Sequence, residues 1–105
     1  MIHELKIDPI FFEAVLDETK TFEIRKNDRP FAVGDFLALN ELDDTRSKQT
    51  GRCCLVEVTY ILEDEKYVKP GFVCMGIAPC AIARERENAL MNRQPIPVYG
   101  RRREQ

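Results

Sequence analysis

Polar and apolar residues alternate at the start of the chain. In IHELKI (2–7), His3, Leu5 and Ile7 fall on one face, and Ile2, Glu4 and Lys6 on the other. A period of two predicts a half-buried strand, because successive strand side chains point to opposite faces. The period then lengthens. Within DPIFFEAVL (8–16), Phe11, Phe12, Val15 and Leu16 recur at helical spacing and predict a short helix with a core-facing stripe. Asp8 suits its N-cap. Pro9 suits its first position, where a missing N–H has no intrahelical partner.

After a turn at 17–20, TFEIRK (21–26) alternates again. Hydrophobicity alone places Phe22 and Ile24 inward and Thr21, Glu23 and Arg25 on the opposite face. Turn residues Pro30 and Gly34 mark a loop over 27–35, and DFLALNEL (35–42) reads as a third strand. A polar hairpin connection (43–51) ends at Gly51 and leads into a long fourth strand, 52–62. Its inward set is expected to be Cys54, Val56, Val58 and Tyr60. The alternate set, Cys53, Leu55 and Ile61, is also apolar, which suits a barrel wall covered by the helix. A loop (63–71) precedes a last strand at 72–79. Residues 81–92 read as a weak helix, and 93–105 as a mobile tail with Pro95, Pro97 and an Arg cluster.

The order is strand, helix, then four strands joined by short loops. It predicts an α+β, mostly β fold: a small, mostly antiparallel pseudobarrel of five to six strands with one or two short helices. The expected domain is 1–80, followed by a C-terminal helix or mobile basic tail at 81–105.

Composition narrows the function. With 105 residues, 44% apolar and 32% charged, the chain is one globular domain with a modest core. The formal net charge of -2 excludes a global polycation. Charge is uneven, however: residues 1–83 carry 10 Lys/Arg against 15 Asp/Glu, and residues 84–105 carry 6 against 3. Attraction to nucleic acid is therefore expected from a local cleft or from the tail, GRRREQ. Cysteines 53, 54, 74 and 80 form no CxxC, and the single His is remote in sequence, so free thiols and no metal are expected. The chain has no long apolar run; a cytoplasmic, non-membrane monomer without a cofactor is the expectation.

The candidate chemistry gathers in KTFEIRKNDR (20–29). Glu23 and Arg25 lie two apart on a strand and point the same way, and Lys20 sits just before them. Converging Lys, Glu and Arg suit a planar, partly anionic ligand: Arg offers a fixed fork of donors, Glu accepts from an amine, and Lys supplies a point charge. The plainer alternative is a salt-bridge ladder on a solvated strand. Lys6, next to the helix start, can add a cation where the helix end itself attracts anions. His3, on an apolar face, reads first as a structural residue. No GxSxG or glycine-rich phosphate loop is present.

These words resemble a known family. HELK within 2–7, the helix after it, KTFEIRKNDR and VGD (33–35) look like the small bacterial and phage proteins with a HELK motif, the DUF3850 domain, within the ASCH branch of the PUA-like superfamily. The resemblance covers about residues 1–79. It implies a PUA-like pseudobarrel with a cleft between helix and strands, where relatives hold RNA or modified bases. One branch is an amidohydrolase that deacylates N4-acetylcytidine through a K-T-x-T-x-R motif. Laid on that motif, Lys20 and Arg25 match, but Glu23 replaces the nucleophilic Thr. The glycine usual before the Lys is replaced by Asp17-Glu18-Thr19, and Glu63 and Glu65 have no secure alignment to the catalytic Glu.

The expectation is therefore an RNA- or nucleotide-binding module, its partner an RNA, a nucleotide or a modified nucleoside. The cleft lining would comprise His3, Lys6, Lys20, Glu23, Arg25, Lys26, Asp28 and Arg29. The alternatives are a small amidohydrolase using Lys20 and Glu23, and a phage or mobile-element accessory protein that acts through a protein partner.

Overall fold

The computed structural model describes residues 1–80; the helix expected at 81–92 and the basic tail at 93–105 lie outside them. The elements keep the predicted order: β1 (Ile2–Ile7), α1 (Pro9–Leu16), β2 (Phe22–Lys26), β3 (Phe36–Leu42), β4 (Gln49–Leu62) and β5 (Phe72–Pro79). The strands form one sheet, ordered β1-β3-β4-β5-β2, that curls into a half-barrel. β1 runs parallel to β3, with His3 opposite Leu37; the other three pairs are antiparallel. The fold is thus the small, mostly antiparallel α+β pseudobarrel that the pattern predicts.

The core forms where α1 meets the inward rows of the sheet. Phe12, Val15 and Leu16 of α1 pack with Leu5, Ile7, Leu37, Leu39, Cys54, Val56, Val58, Val73, Met75 and Ile77. The alternation in β1 holds, with His3, Leu5 and Ile7 all buried. The outer row of β4 contributes to a second small cluster, in which Leu55 and Phe36 pack on Cys80.

Three face assignments differ from the periodicity reading. In β2, Phe22 and Ile24 are 45% and 53% exposed, whereas Glu23 is 3% exposed. The strand turns its carboxylate inward because Lys20 and Arg25 neutralise it there. In α1, Phe11 is half exposed, and only Phe12, Val15 and Leu16 face the core. In β4, Tyr60 is exposed because the strand bulges. Val58 pairs with Ile77 but Tyr60 with the next residue, Gly76, so Thr59 is extra and the alternation flips beyond it. Gly76 makes room: a Cβ there would lie 2.9 Å from Thr59 Oγ1. β4 also begins at Gln49 rather than 52, and Gly51, at φ 97, lies inside it near a second register shift.

Both ends of α1 fix the segments beside them. Asp8 begins the helix, but its carboxylate makes no capping bond and pairs instead with Arg46. At the other end, the Thr19 N–H donates to Ala14 O at 3.0 Å and the Glu18 N–H to Val15 O at 3.1 Å, a Schellman turn. Glu18 takes its left-handed position at φ 63, where glycine is the usual residue. The Lys20 N–H also donates to Ala14 O at 3.0 Å, which holds the start of KTFEIRKNDR against the helix end.

β1 and β2 are the two edges of the sheet. They face each other across an open seam, where their side chains meet.

Candidate functional site

Glu23 is the centre of the seam. Its Oε1 accepts from Lys20 Nζ. Its Oε2 accepts from Arg25 Nε at 2.8 Å and lies 2.7 Å from Arg25 Nη2. A carboxylate this deeply buried costs several kcal/mol to desolvate unless it is paired, and here two cations grip it. Lys20 Nζ also donates to Phe22 O at 2.7 Å and lies 5.8 Å and 5.1 Å from the ring centroids of Phe11 and Phe22. The ammonium is thus held by a carboxylate, a carbonyl and two aromatic rings.

Above this triad opens a hollow of about 430 Å³. Its apolar wall is Ile7, Phe11, Phe22 and Ile24. Its polar wall sets four cations, Lys6, Lys20, Arg25 and Arg46, against two carboxylates, Asp8 and Glu23. Arg46 arrives from the hairpin tip between β3 and β4 and pairs with Asp8 at the start of α1. It adopts a left-handed conformation, φ 61, that strains a non-glycine residue. Asp43 ties that tip, accepting from the Ser47 N–H at 2.9 Å and from Thr45 Oγ1 at 3.1 Å.

A second hollow of about 240 Å³ adjoins the first, with Arg25 in the wall of both. Leu5, Lys26, Asp28, Arg29 and Phe31 complete it. Arg29 spans the seam, donating from Nη1 to Glu4 O on β1 at 3.3 Å, and its guanidinium lies 5.9 Å from the Phe31 ring. Asp28 is only loosely paired with Arg29, at 3.8 Å. Among the described residues, Lys6 and Lys26 have no ion-pair partner.

Of the sequence candidates, Lys6, Lys20, Glu23 and Arg25 therefore meet at the first hollow, and Arg25, Lys26, Asp28 and Arg29 at the second. His3 lines neither. It is buried, with Nε2 2.8 Å from Asp35 Oδ2 and its ring 4.7 Å from Phe31. Asp35 also accepts the Ala32 N–H at 3.0 Å. The His3 hydrogen bond holds the Asp35 carboxyl below the usual carboxylate range, and the Ala32 N–H and the N-terminal ammonium add to it against the cost of burial. His3 thus anchors the loop that carries Asp28 and Arg29.

Sequence reading misses six residues that line the larger hollow, among them Ile7, which serves both core and wall. Hydrophobicity sends Phe11, Phe22 and Ile24 to the core, while local pattern makes Asp8 a helix cap and Arg46 part of a polar turn. The one local signal is Phe22, set between Lys20 and Arg25. Nothing local marks Arg46, because its partner Asp8 lies a helix and two strands away along the chain.

None of the four cysteines is in a disulfide. Burial, with the Glu4 charge added, pushes the Cys53 thiol up to about 11, so it is a poor nucleophile at neutral pH. Among the described residues no group of three or more His, Cys, Asp or Glu side chains is placed to hold a metal ion, and no helix is long and apolar enough to cross a membrane.

A search of curated proteins finds no match to this chain. Residues 2–77, most of its length, match the family described as Domain of unknown function (DUF3850), and the chain belongs to that family.

Proposed function

We propose that this chain is a binding module for RNA or a nucleotide, of the ASCH branch of the PUA-like superfamily. One observation carries the reading: the larger hollow joins two exposed aromatic rings to four cations, two of which share a single buried carboxylate. An aromatic wall takes the face of a base, and surplus positive charge takes a phosphate. Arg25, already clamped on Glu23, presents its remaining N–H groups without further ordering cost. The half-barrel with one helix is the architecture that the proposed kinship implies.

Binding is favoured over amide hydrolysis by the lining itself. Among the described residues, no hydroxyl or thiol side chain lines the larger hollow, and both oxygens of Glu23 are engaged by cations. Nucleophilic attack needs a free nucleophile and a base within reach of it. Polyanion binding is favoured over a protein partner because the exposed apolar side chains at the seam are interleaved with Lys and Arg. With the kinship go a bacterial or phage origin and a monomeric, cytoplasmic state; four cysteines outside any disulfide agree with a reducing compartment.

Chemical-shift mapping with nucleosides, nucleotides and short RNAs tests the reading. The expected result is saturable shifts at Lys6, Phe11, Phe22, Arg25 and Arg46, with affinity weakened at least about fivefold in Phe22→Ala, one base-stacking contact's share. No shift at millimolar ligand, or shifts confined elsewhere, overturns it. Turnover of N4-acetylcytidine that is abolished by Lys20→Ala would replace binding with hydrolysis.

A further inference from the structure

The smaller hollow differs from its neighbour in kind. The larger one has an apolar wall broad enough for a ring system. The smaller is mostly charged: Arg25, Lys26 and Arg29 stand against Asp28 alone. Arg25 directs Nε and Nη2 to Glu23, and the residue lines both hollows. Lys26 has no ion-pair partner among the described residues, and Arg29 is held across the seam by Glu4 O with Asp28 only at 3.8 Å. Cations held close together without matching carboxylates repel one another unless an anion joins them. A fixed guanidinium beside a free ammonium is an arrangement suited to phosphate oxygens.

We propose that the smaller hollow is a phosphate subsite: it receives the phosphate attached to the nucleoside whose base occupies the larger hollow, with Arg25 bridging the two. The inference rests on the nucleotide-binding reading and sharpens it, since the preferred ligand must carry a phosphate on the β2 side of the base. That phosphate belongs either to a free nucleoside monophosphate or to an RNA backbone.

Titration calorimetry on the full chain separates the cases, using a nucleoside, its 3′- and 5′-monophosphates, and a dinucleotide. The variants are Lys26→Glu and Arg29→Gln; Lys26 is exposed at the end of β2, so its reversal leaves the core untouched. The phosphate is expected to tighten binding about tenfold or more, as one charge-assisted contact of roughly 1.5–3 kcal/mol provides. Either variant should remove most of that gain and leave nucleoside affinity within about twofold. A dinucleotide that binds no tighter than the better monophosphate assigns the subsite to a free nucleotide; a further gain assigns it to a strand. Nucleoside binding with no phosphate gain, or a gain that survives both variants, overturns the subsite and leaves the binding reading standing. No binding by any of the four ligands overturns both.

Discussion

Arg25 closes on one oxygen of Glu23 with both Nε, at 2.8 Å, and Nη2, at 2.7 Å, and leaves the other oxygen to Lys20. One inward carboxylate therefore sets the direction of two cations. Glu23→Ala should strand both in a largely buried wall. Breaking a buried pair costs about 3–5 kcal/mol, reduced here to about 2–3 because both cations still reach solvent. Urea unfolding measures the loss. Glu23→Gln should cost nearly as much, since it keeps the shape but not the charge. A loss of less than about 0.5 kcal/mol, typical of surface changes, would return the triad to surface decoration.

Acid stability should depend on Asp35. Its pKa is lower in the folded chain than in the unfolded one, so its carboxylate contributes stability above the ordinary value of about 3.9. That contribution is lost as pH falls through the depressed folded value. Asp35→Asn should therefore lower the urea midpoint at pH 7, and the two proteins should converge as pH falls towards about 2. Parallel curves across that range would contradict the assignment.

Arg46 should show a trade between stability and binding. Glycine relieves the left-handed strain, worth about 1 kcal/mol, and forfeits an exposed ion pair with Asp8 worth less than about 1 kcal/mol. Arg46→Gly should leave thermal stability equal or slightly higher while it weakens nucleotide affinity about fivefold, one cation's share. A variant that is destabilised but binds normally would make Arg46 a purely structural residue.

Cys53 should resist alkylation at neutral pH. Iodoacetamide labelling, located by fragment-ion mass spectrometry, should rise only as pH approaches about 11, and Glu4→Gln should bring the rise to lower pH. Rapid labelling of Cys53 at about pH 7.5 would show a thiolate that burial does not suppress.

Element order is legible because hydrophobic periods change where elements change, and β1 reads almost residue by residue. What escapes is the sense of faces. Periodicity sorts residues by polarity, so it puts Phe22 and Ile24 inside and Glu23 outside. It has no means of seeing that Lys20 and Arg25 make an inward carboxylate tolerable. Tyr60 is misplaced for a different reason: a bulge at Thr59 breaks the period within a single strand, and the glycine that makes room for it, Gly76, sits on another strand. The site is half legible. KTFEIRKNDR gathers its own charges within one strand and loop. Arg46 and Asp8 meet only through the tertiary fold.

The strand order also implies a sequence of events. β3, β4 and β5 are consecutive neighbours, whereas β1 must find β3 beyond α1 and β2, and β2 must find β5, the last strand described. Distant pairings form slowly because loop closure precedes their reward. The meander is therefore expected to assemble first, with the two flanking strands docking onto its sides afterwards. Native-state hydrogen exchange should protect β4 most and the flanks least. A ligand held between those flanks would then have an exit that needs no global unfolding: the strands expected to arrive last would also be the first to let go.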